Sequence, residues 1–321
     1  QEPMIQAKQL TRVYGRIRAV DGISFTVEPG EVLGFLGPNG AGKSTTMKML
    51  AGFLVPTSGT ASICGHDVQS DPLAAKRHVG YLPEGAPSYG EMDVLGFLAF
   101  VADVRGLAGE QRRRRLGSVV ERLALGGVLA QPVDTLSKGF RRRVGLAAAI
   151  LHDPRVLILD EPTDGLDPNQ KHEVRGLIRD MSRERTIIVS THILEEVDAV
   201  CTRAVIIAQG RLLVDDTPEA LARRSRYHGA VTFRSPDSVT ARVALEGLDG
   251  VERVESATGS DRLVALPREG ASILDAVALR LRERGVACSE LQLERGRLDE
   301  VFRSITLGDE PGAGKGQGER A

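Results

Sequence analysis

The sequence predicts an α/β chain: a mixed, largely parallel sheet core, an all-helical block inserted into it, and a small α+β domain after it. Three observations lead there. Short apolar strands alternate with helical periodicity on both sides of residues 91–152. Within 91–152 the strand pattern vanishes, and "EMDVLGFLAFVADVRGL", "EQRRRRLGSVVERLAL" and "KGFRRRVGLAAAILH" all read as helix. Beyond about residue 226 a second order begins, of strand, helix, two strands, helix, strand and helix.

Taken in order, residues 4–36 hold the strands "MIQAKQL", "AVDGISFTV" and "EVLGFLG", marked by alternation or compact apolar runs. A helix is expected over about 43–53, then short strands in "GTASICG" and "VGYLP", then the helical block over about 88–152. From 156 the alternation returns: "VLILD" strand, "PNQKHEVRGLIRDMSRE" helix, "RTIIVST" strand, "ILEEVDAV" helix, "AVIIAQG" strand. Short apolar strands separated by helices imply parallel pairing with both faces covered. "TPEALARRSR" is expected to close a first domain of 1–226. The βαββαβ order over 227–307 suggests a ferredoxin-like accessory domain. The tail 308–321, "GDEPGAGKGQGERA", is Gly-rich and polar, and is expected to be disordered.

Composition removes several function classes. The 321 residues suffice for two domains. With 42 basic and 43 acidic residues and a net charge of -1, no nucleic-acid partner is expected. Trp is absent, so a stacking platform for single strands is not expected either. Cys64, Cys201 and Cys288 are far apart and form no ligand-spaced pair; they read as buried thiols of a reducing compartment. No stretch approaches the roughly 20 apolar residues of a membrane helix. The best, 94–107, contains Asp103 and Arg105. The start lacks a signal pattern. A cytoplasmic chain is expected, with any membrane role reached through a partner.

"GPNGAGKST" spans Gly37, Pro38, Asn39, Gly40, Ala41, Gly42, Lys43, Ser44 and Thr45, and fits G-x-x-x-x-G-K-[ST] between an apolar strand and a helix. The glycines let backbone N–H groups curl around phosphate oxygens. Lys43 can then reach the β- and γ-phosphates, and the Ser44 hydroxyl can bind Mg²⁺. In "VLILDEP", Asp160 falls at the carboxyl end of a buried strand, where ligand sites of open α/β sheets lie, and can hold Mg²⁺ through its water shell. Strand alternation puts Glu161 on the opposite side, free to act on a water. His192 ends "TIIVSTH" on a strand expected beside the other two, within reach of a γ-phosphate. Tyr14, in "RVYGR", is either a packing residue or a platform for a base.

"LSKGFRRRVGLAAAI" starts a helix with Arg141, Arg142 and Arg143 in the first turn, where acids are usual; a basic start suits an anion. A helix capped by Ser137 with solvated arginines has the same pattern. In order, Tyr14, the phosphate loop, "VGYLPE", "LSKGF", "VLILDEP", "GLDP" and "STH" resemble the motifs of ATP-binding cassette (ABC) ATPases over about residues 1–225. The wording of "LSKGFRRRVGLAAAI", "LDEPTDGLDPNQ" and "GYLPE" resembles ABC-2-type exporter cassettes, the gliding-motility type included.

The resemblance implies a P-loop NTPase fold, ATP and Mg²⁺ as cofactors, and hydrolysis coupled to transport. It implies a second cassette packed head to tail, taken as a homodimer, with Ser137, Lys138 and Gly139 meeting the other chain's γ-phosphate and Asp167 acting across the interface. It implies a multi-span membrane permease whose coupling helix enters a cleft between the helical block and the sheet, and so a peripheral place on the cytoplasmic face of the membrane. Two positions depart from the family pattern. Glu84 stands where Gln is usual, still able to bind Mg²⁺, and Lys138 and Phe140 replace residues of LSGGQ. "RRRR" at 112–115 reads as a solvated helix face or a lipid contact. The alternative function is an ABC ATPase acting on a non-transport macromolecular partner. Ribosomal members usually carry two cassettes, and repair members long coiled coils; the chain shows neither before its tail.

Overall fold

The computed structural model describes residues 2–85, 89–256 and 260–307, so the tail at 308–321 lies outside the described residues. Two compact units form, Gln1–Asp216 and Thr217–Ala321.

The first unit opens with β1 (Ile5–Tyr14) and β2 (Ile17–Val27), an antiparallel hairpin turning at Gly15. β3 (Val32–Leu36) leads through the glycine loop into α1 (Lys43–Leu50). β4 (Ser58–Ile63) and β5 (His66–Asp67) complete a sheet of order β2-β1-β4-β5. α2 (Pro72–Arg77) and β6 (Val79–Leu82) precede the helical block of α3 (Val94–Val104), α4 (Gly109–Arg122) and α5 (Lys138–Ile150). Then come β7 (Val156–Asp160), α6 (Pro168–Ser182), β8 (Thr186–Thr191), α7 (Leu194–Val200), β9 (Arg203–Ala208) and β10 (Arg211–Asp216).

The central sheet has the order β10-β9-β3-β8-β7-β6, parallel throughout except for the edge strand β10. Its middle strands β3, β7 and β8 are buried at every residue. That is why they read as continuous apolar runs. Alternate residues of β7 enter different cores. Val156 and Ile158 join the cluster under α1, while Leu157 and Leu159 join the one shared with the helical block.

The four arginines 112–115 are not a uniformly solvated face. Arg112 pairs with Asp103 at 2.8 Å, and Arg115 donates to the carbonyls of Leu151 and Ile150 at 2.9 and 3.0 Å. They tie α4 to α3 and to the end of α5.

The second unit comprises α8 (Pro218–Arg223), β11 (Val231–Arg234), α9 (Ser238–Leu245), β12 (Val251–Ser256), β13 (Arg262–Pro267), α10 (Leu274–Glu283), β14 (Ser289–Leu293) and α11 (Leu298–Leu307). Its strands pair antiparallel in the order β12-β13-β11-β14. Phe233, Leu245, Leu263, Val277 and Leu281 fill a separate core.

The boundary falls ten residues earlier than the expected 226, because α8 belongs to this unit. Ser225 and Arg226, just after α8, reach Glu300 of α11 at 2.5 and 3.2 Å. A Cβ on Gly296 would lie 2.0 Å from the Ala222 carbonyl, so only glycine allows that approach. The cysteines also differ from expectation: Cys64 and Cys201 are half-buried, and Cys288 is exposed.

Candidate active site

The phosphate loop joins the end of β3 to α1. Gly42 precedes the helix at φ 105°, and no side chain caps the helix start. Helix N–H groups left open in this way suit an anion. The backbone is too close on both sides for other residues. A Cβ on Gly37 would lie 2.4 Å from the Ile207 carbonyl, and one on Gly42 2.5 Å from that of Ala19. Lys43 is buried; its Nζ donates to the carbonyls of Gly37 and Pro38 at 2.7 and 3.2 Å. It thus lies across the loop it follows.

A cleft of about 320 Å³ opens over this loop. Asn39, Gly40, Gly42, Lys43, Ser44 and Thr45 line one side, and Glu84, Glu161, Asp164 and His192 face them. Gly37, Pro38 and Ala41 support the loop without lining the cleft. Parallel register explains how distant residues meet. β7 and β8 pair Asp160 with Ser190, and β3 and β8 pair Leu36 with Thr191, so the carboxyl ends of three strands share one edge.

Glu161 does not stand free on the far side of its strand. Its backbone leaves β7 at φ 48°, in the left-handed region, and the side chain turns into the cleft. One carboxylate oxygen lies 3.2 Å from Lys43 Nζ and the other 2.9 Å from His192 Nδ1. The Glu161 amide donates to the carbonyl and to the hydroxyl of Ser190, both at 3.1 Å, which holds the unusual turn. The site therefore contains a lysine–carboxylate–imidazole row, with Lys43 and Glu161 buried and His192 exposed at its outer end.

Asp160 is fully buried beneath this row. Its Oδ1 accepts from Ser44 Oγ at 3.1 Å and from Ser190 Oγ at 2.5 Å. Its Oδ2 is buried with no hydrogen-bond partner. An orphaned carboxylate oxygen beside a hydroxyl fits a hard cation such as Mg²⁺, with further ligands from water or phosphate. Among the described residues, no cluster of three or more His, Cys, Asp or Glu side chains could hold a metal unaided.

The other expected residues lie elsewhere. Tyr14 is 45 % exposed at the end of β1, with the Arg12 guanidinium 4.6 Å above its ring, and does not line the cleft. Ser137 caps α5 by accepting from the Phe140 amide at 3.3 Å. Asp167 caps α6 through the Gln170 amide at 2.9 Å. These two helix starts are neighbours. A Cβ on Gly139 would meet the Gln170 side chain at 2.9 Å, and one on Gly165 would meet Lys138 Nζ at 2.5 Å. Neither group lines the chain's own cleft. Arg143 pairs with Glu173 rather than with solvent. Ser190 and Asp164 were not singled out from the sequence. The signal for Ser190 was present, since aligning "VLILD" with "TIIVST" as parallel neighbours pairs it with Asp160.

Residues 20–164 match the family model described as ABC transporter. The chain is 38% identical over 225 residues to the probable multidrug ABC transporter ATP-binding protein YbhF of Escherichia coli (strain K12), an alignment covering 70% of this chain and 39% of that protein's length. It is 36% identical over 255 residues to the Nod factor export ATP-binding protein I of Paraburkholderia xenovorans (strain LB400), covering 79% of this chain and 83% of that one. A solved ATP-binding subunit of an ABC transporter superposes with a TM-score of 0.63 at 31% identity, over 69% of this chain and 92% of that one. The fold, the loop and these relatives together place the chain in the ABC transporter family, among its ATP-binding proteins.

Proposed function

We propose that the chain is the ATP-hydrolysing subunit of an ABC-2-type exporter, working as a pair of cassettes on a separate multi-span permease at the cytoplasmic face of the membrane. The observation that carries this reading is the Lys43–Glu161–His192 row, buried at Lys43 and Glu161, facing the open start of α1. When ATP binds, its phosphates displace Glu161 from Lys43, because a phosphate oxygen competes for the same ammonium. Glu161 then accepts a proton from an attacking water, and His192 contacts the γ-phosphate. Ser44 and Asp160 would hold Mg²⁺, which would neutralise phosphate charge there. Glu84 stands at the rim of the same cleft.

Pairing is supported by the placement of Ser137, Lys138 and Gly139. They start a helix suited to an anion yet lie away from their own cleft, so a second chain's nucleotide is the anion they fit. A permease is supported by a second groove of about 500 Å³, lined by Phe53, Leu73, Tyr81 and Val104 and rimmed by Lys76, Arg77 and Arg105. Phe53, Leu73 and Val104 are each about 70 % exposed. Apolar side chains at this exposure suit an inserted amphipathic helix. Among the described residues no helix is long and apolar enough to cross a membrane.

The test is Lys43→Ala. It is expected to abolish ATP binding in filter or fluorescence titrations, with a cooperative melting transition retained. Wild-type turnover in this variant would refute the site.

A further inference from the structure

Arg142 lies in the first turns of α5 and is only 7 % exposed. A buried guanidinium needs a reason, since burial disfavours its charge unless opposite charges and hydrogen bonds compensate it. Arg142 does not line the nucleotide cleft. It approaches from beneath, out of the helical block. Its Nη1 donates to the Pro83 carbonyl at 3.3 Å, one residue before Glu84. The acidic side chains acting on it are Asp164, Asp160, Glu84 and Glu161. All four belong to the cleft or lie directly under it.

The charges of the cleft explain what such a residue can do. Among the described residues that line it, Lys43 is the only Lys or Arg. Glu84, Glu161 and Asp164 line it, and buried Asp160 lies below. One ammonium against four carboxylates repels a polyphosphate. Like charges in a poorly hydrated site interact strongly, so a buried cation nearby acts on all of them.

We propose that Arg142 is a positioning residue, the buried counter-charge supplied by the helical block, which offsets the cleft's carboxylates and fixes the Pro83–Glu84 turn so that an anionic nucleotide can enter. This rests on the nucleotide-site reading above. It also links α5, whose start is the Ser137 segment, to the charge state of the chain's own cleft. A change in that charge on nucleotide binding is felt directly by the helix that faces a second chain.

The test is a set of variants of the full chain, compared by KM for MgATP, kcat, equilibrium binding of ATP and melting temperature. Arg142→Met keeps the apolar stem and removes the charge. Arg142→Gln keeps a donor for Pro83 and removes the charge. Arg142→Lys keeps the charge. The inference expects Met and Gln each to raise KM about tenfold or more, with Lys closer to wild type. Adding Asp164→Asn to Arg142→Met or Arg142→Gln is expected to recover most of the loss, relative to Asp164→Asn alone, because it removes one of the repelling carboxylates. A purely packing role predicts that Met matches wild type; a purely hydrogen-bonding role predicts that Gln does. Either result, or no recovery by Asp164→Asn, overturns the inference. Lys43→Ala separates the two failures. If it abolishes ATP binding while the Arg142 series is flat, only Arg142 is misassigned. If it leaves binding intact, the site itself is.

Discussion

At Glu161 the chain makes a residue-scale choice that strand alternation does not predict. Alternation sends the side chain away from Asp160, yet φ 48° brings it back between Lys43 and His192. A left-handed backbone at a non-glycine residue costs on the order of 1–3 kcal/mol and persists where neighbours hold it. Here Ser190 does so with both its carbonyl and its hydroxyl. The carboxylate is thereby kept over the loop, in the cleft beside Lys43. Glu161→Gln is expected to lower multiple-turnover hydrolysis by about 10²-fold or more while ATP stays bound, as loss of a general base does. Rapid-quench turnover beside ATP retention on a filter checks this; unchanged turnover would remove Glu161 from the chemistry. The residue types Lys43, Asp160, Glu161 and His192 were legible from motifs. Their ion pairs were not, because they depend on one backbone dihedral and on strand register.

At the scale of elements, α5 is the part through which the helical block meets the sheet. Ser137 caps its start and Arg142 lies in its second turn. Past its last turn, His152 donates from Nε2 to the Val79 carbonyl at 2.9 Å, at the start of β6. Its Nδ1 is then a bare, buried acceptor without a partner. Burial, aided by Arg105 and Arg115, lowers the His152 pKa from its ordinary 6.5 to about 4. The folded state therefore favours neutral imidazole, and the unfolded state binds the extra proton between those values. Stability from this group is complete above pH 6.5, falls as pH drops through the window, and is lost below about 4. At about 1.4 kcal/mol per unit, the span is at most about 3.5 kcal/mol. Urea unfolding across pH 4–7 is expected to show this slope, and His152→Gln, which can still donate to Val79, to flatten it. An equal slope in both proteins would place the dependence elsewhere. Helix periodicity predicted α5 itself, whereas the partners of its ends come from segments far away in sequence.

For the whole molecule, core clusters that do not cross from one unit to the other mark two units, and the boundary at Asp216 is testable. A chain ended after Asp216 is expected to keep its melting transition and bind ATP, since the first unit holds both of its core clusters. A chain ended at 226 would carry α8 without α11 and expose Leu221, which is buried in the full chain. It is expected to be less soluble by light scattering; equal behaviour of the two would argue that α8 does not depend on the second unit. The paired-cassette reading belongs to this scale as well. Light scattering of Glu161→Gln is expected to shift from monomer to dimer with ATP and Mg²⁺. A monomer with bound ATP would mean that closure needs a different cassette or the permease. The α/β class, the phosphate loop and the order of elements can be read from the residues alone, because glycine spacing and apolar periodicity are local and each answers to a local steric or solvation rule. The inward turn of Glu161, the burial of Arg142 near the carboxylates and the membership of α8 in the second unit emerge from long-range packing. Each of these depends on which distant surfaces meet, and burial and charge pairing are properties of that meeting rather than of any one segment.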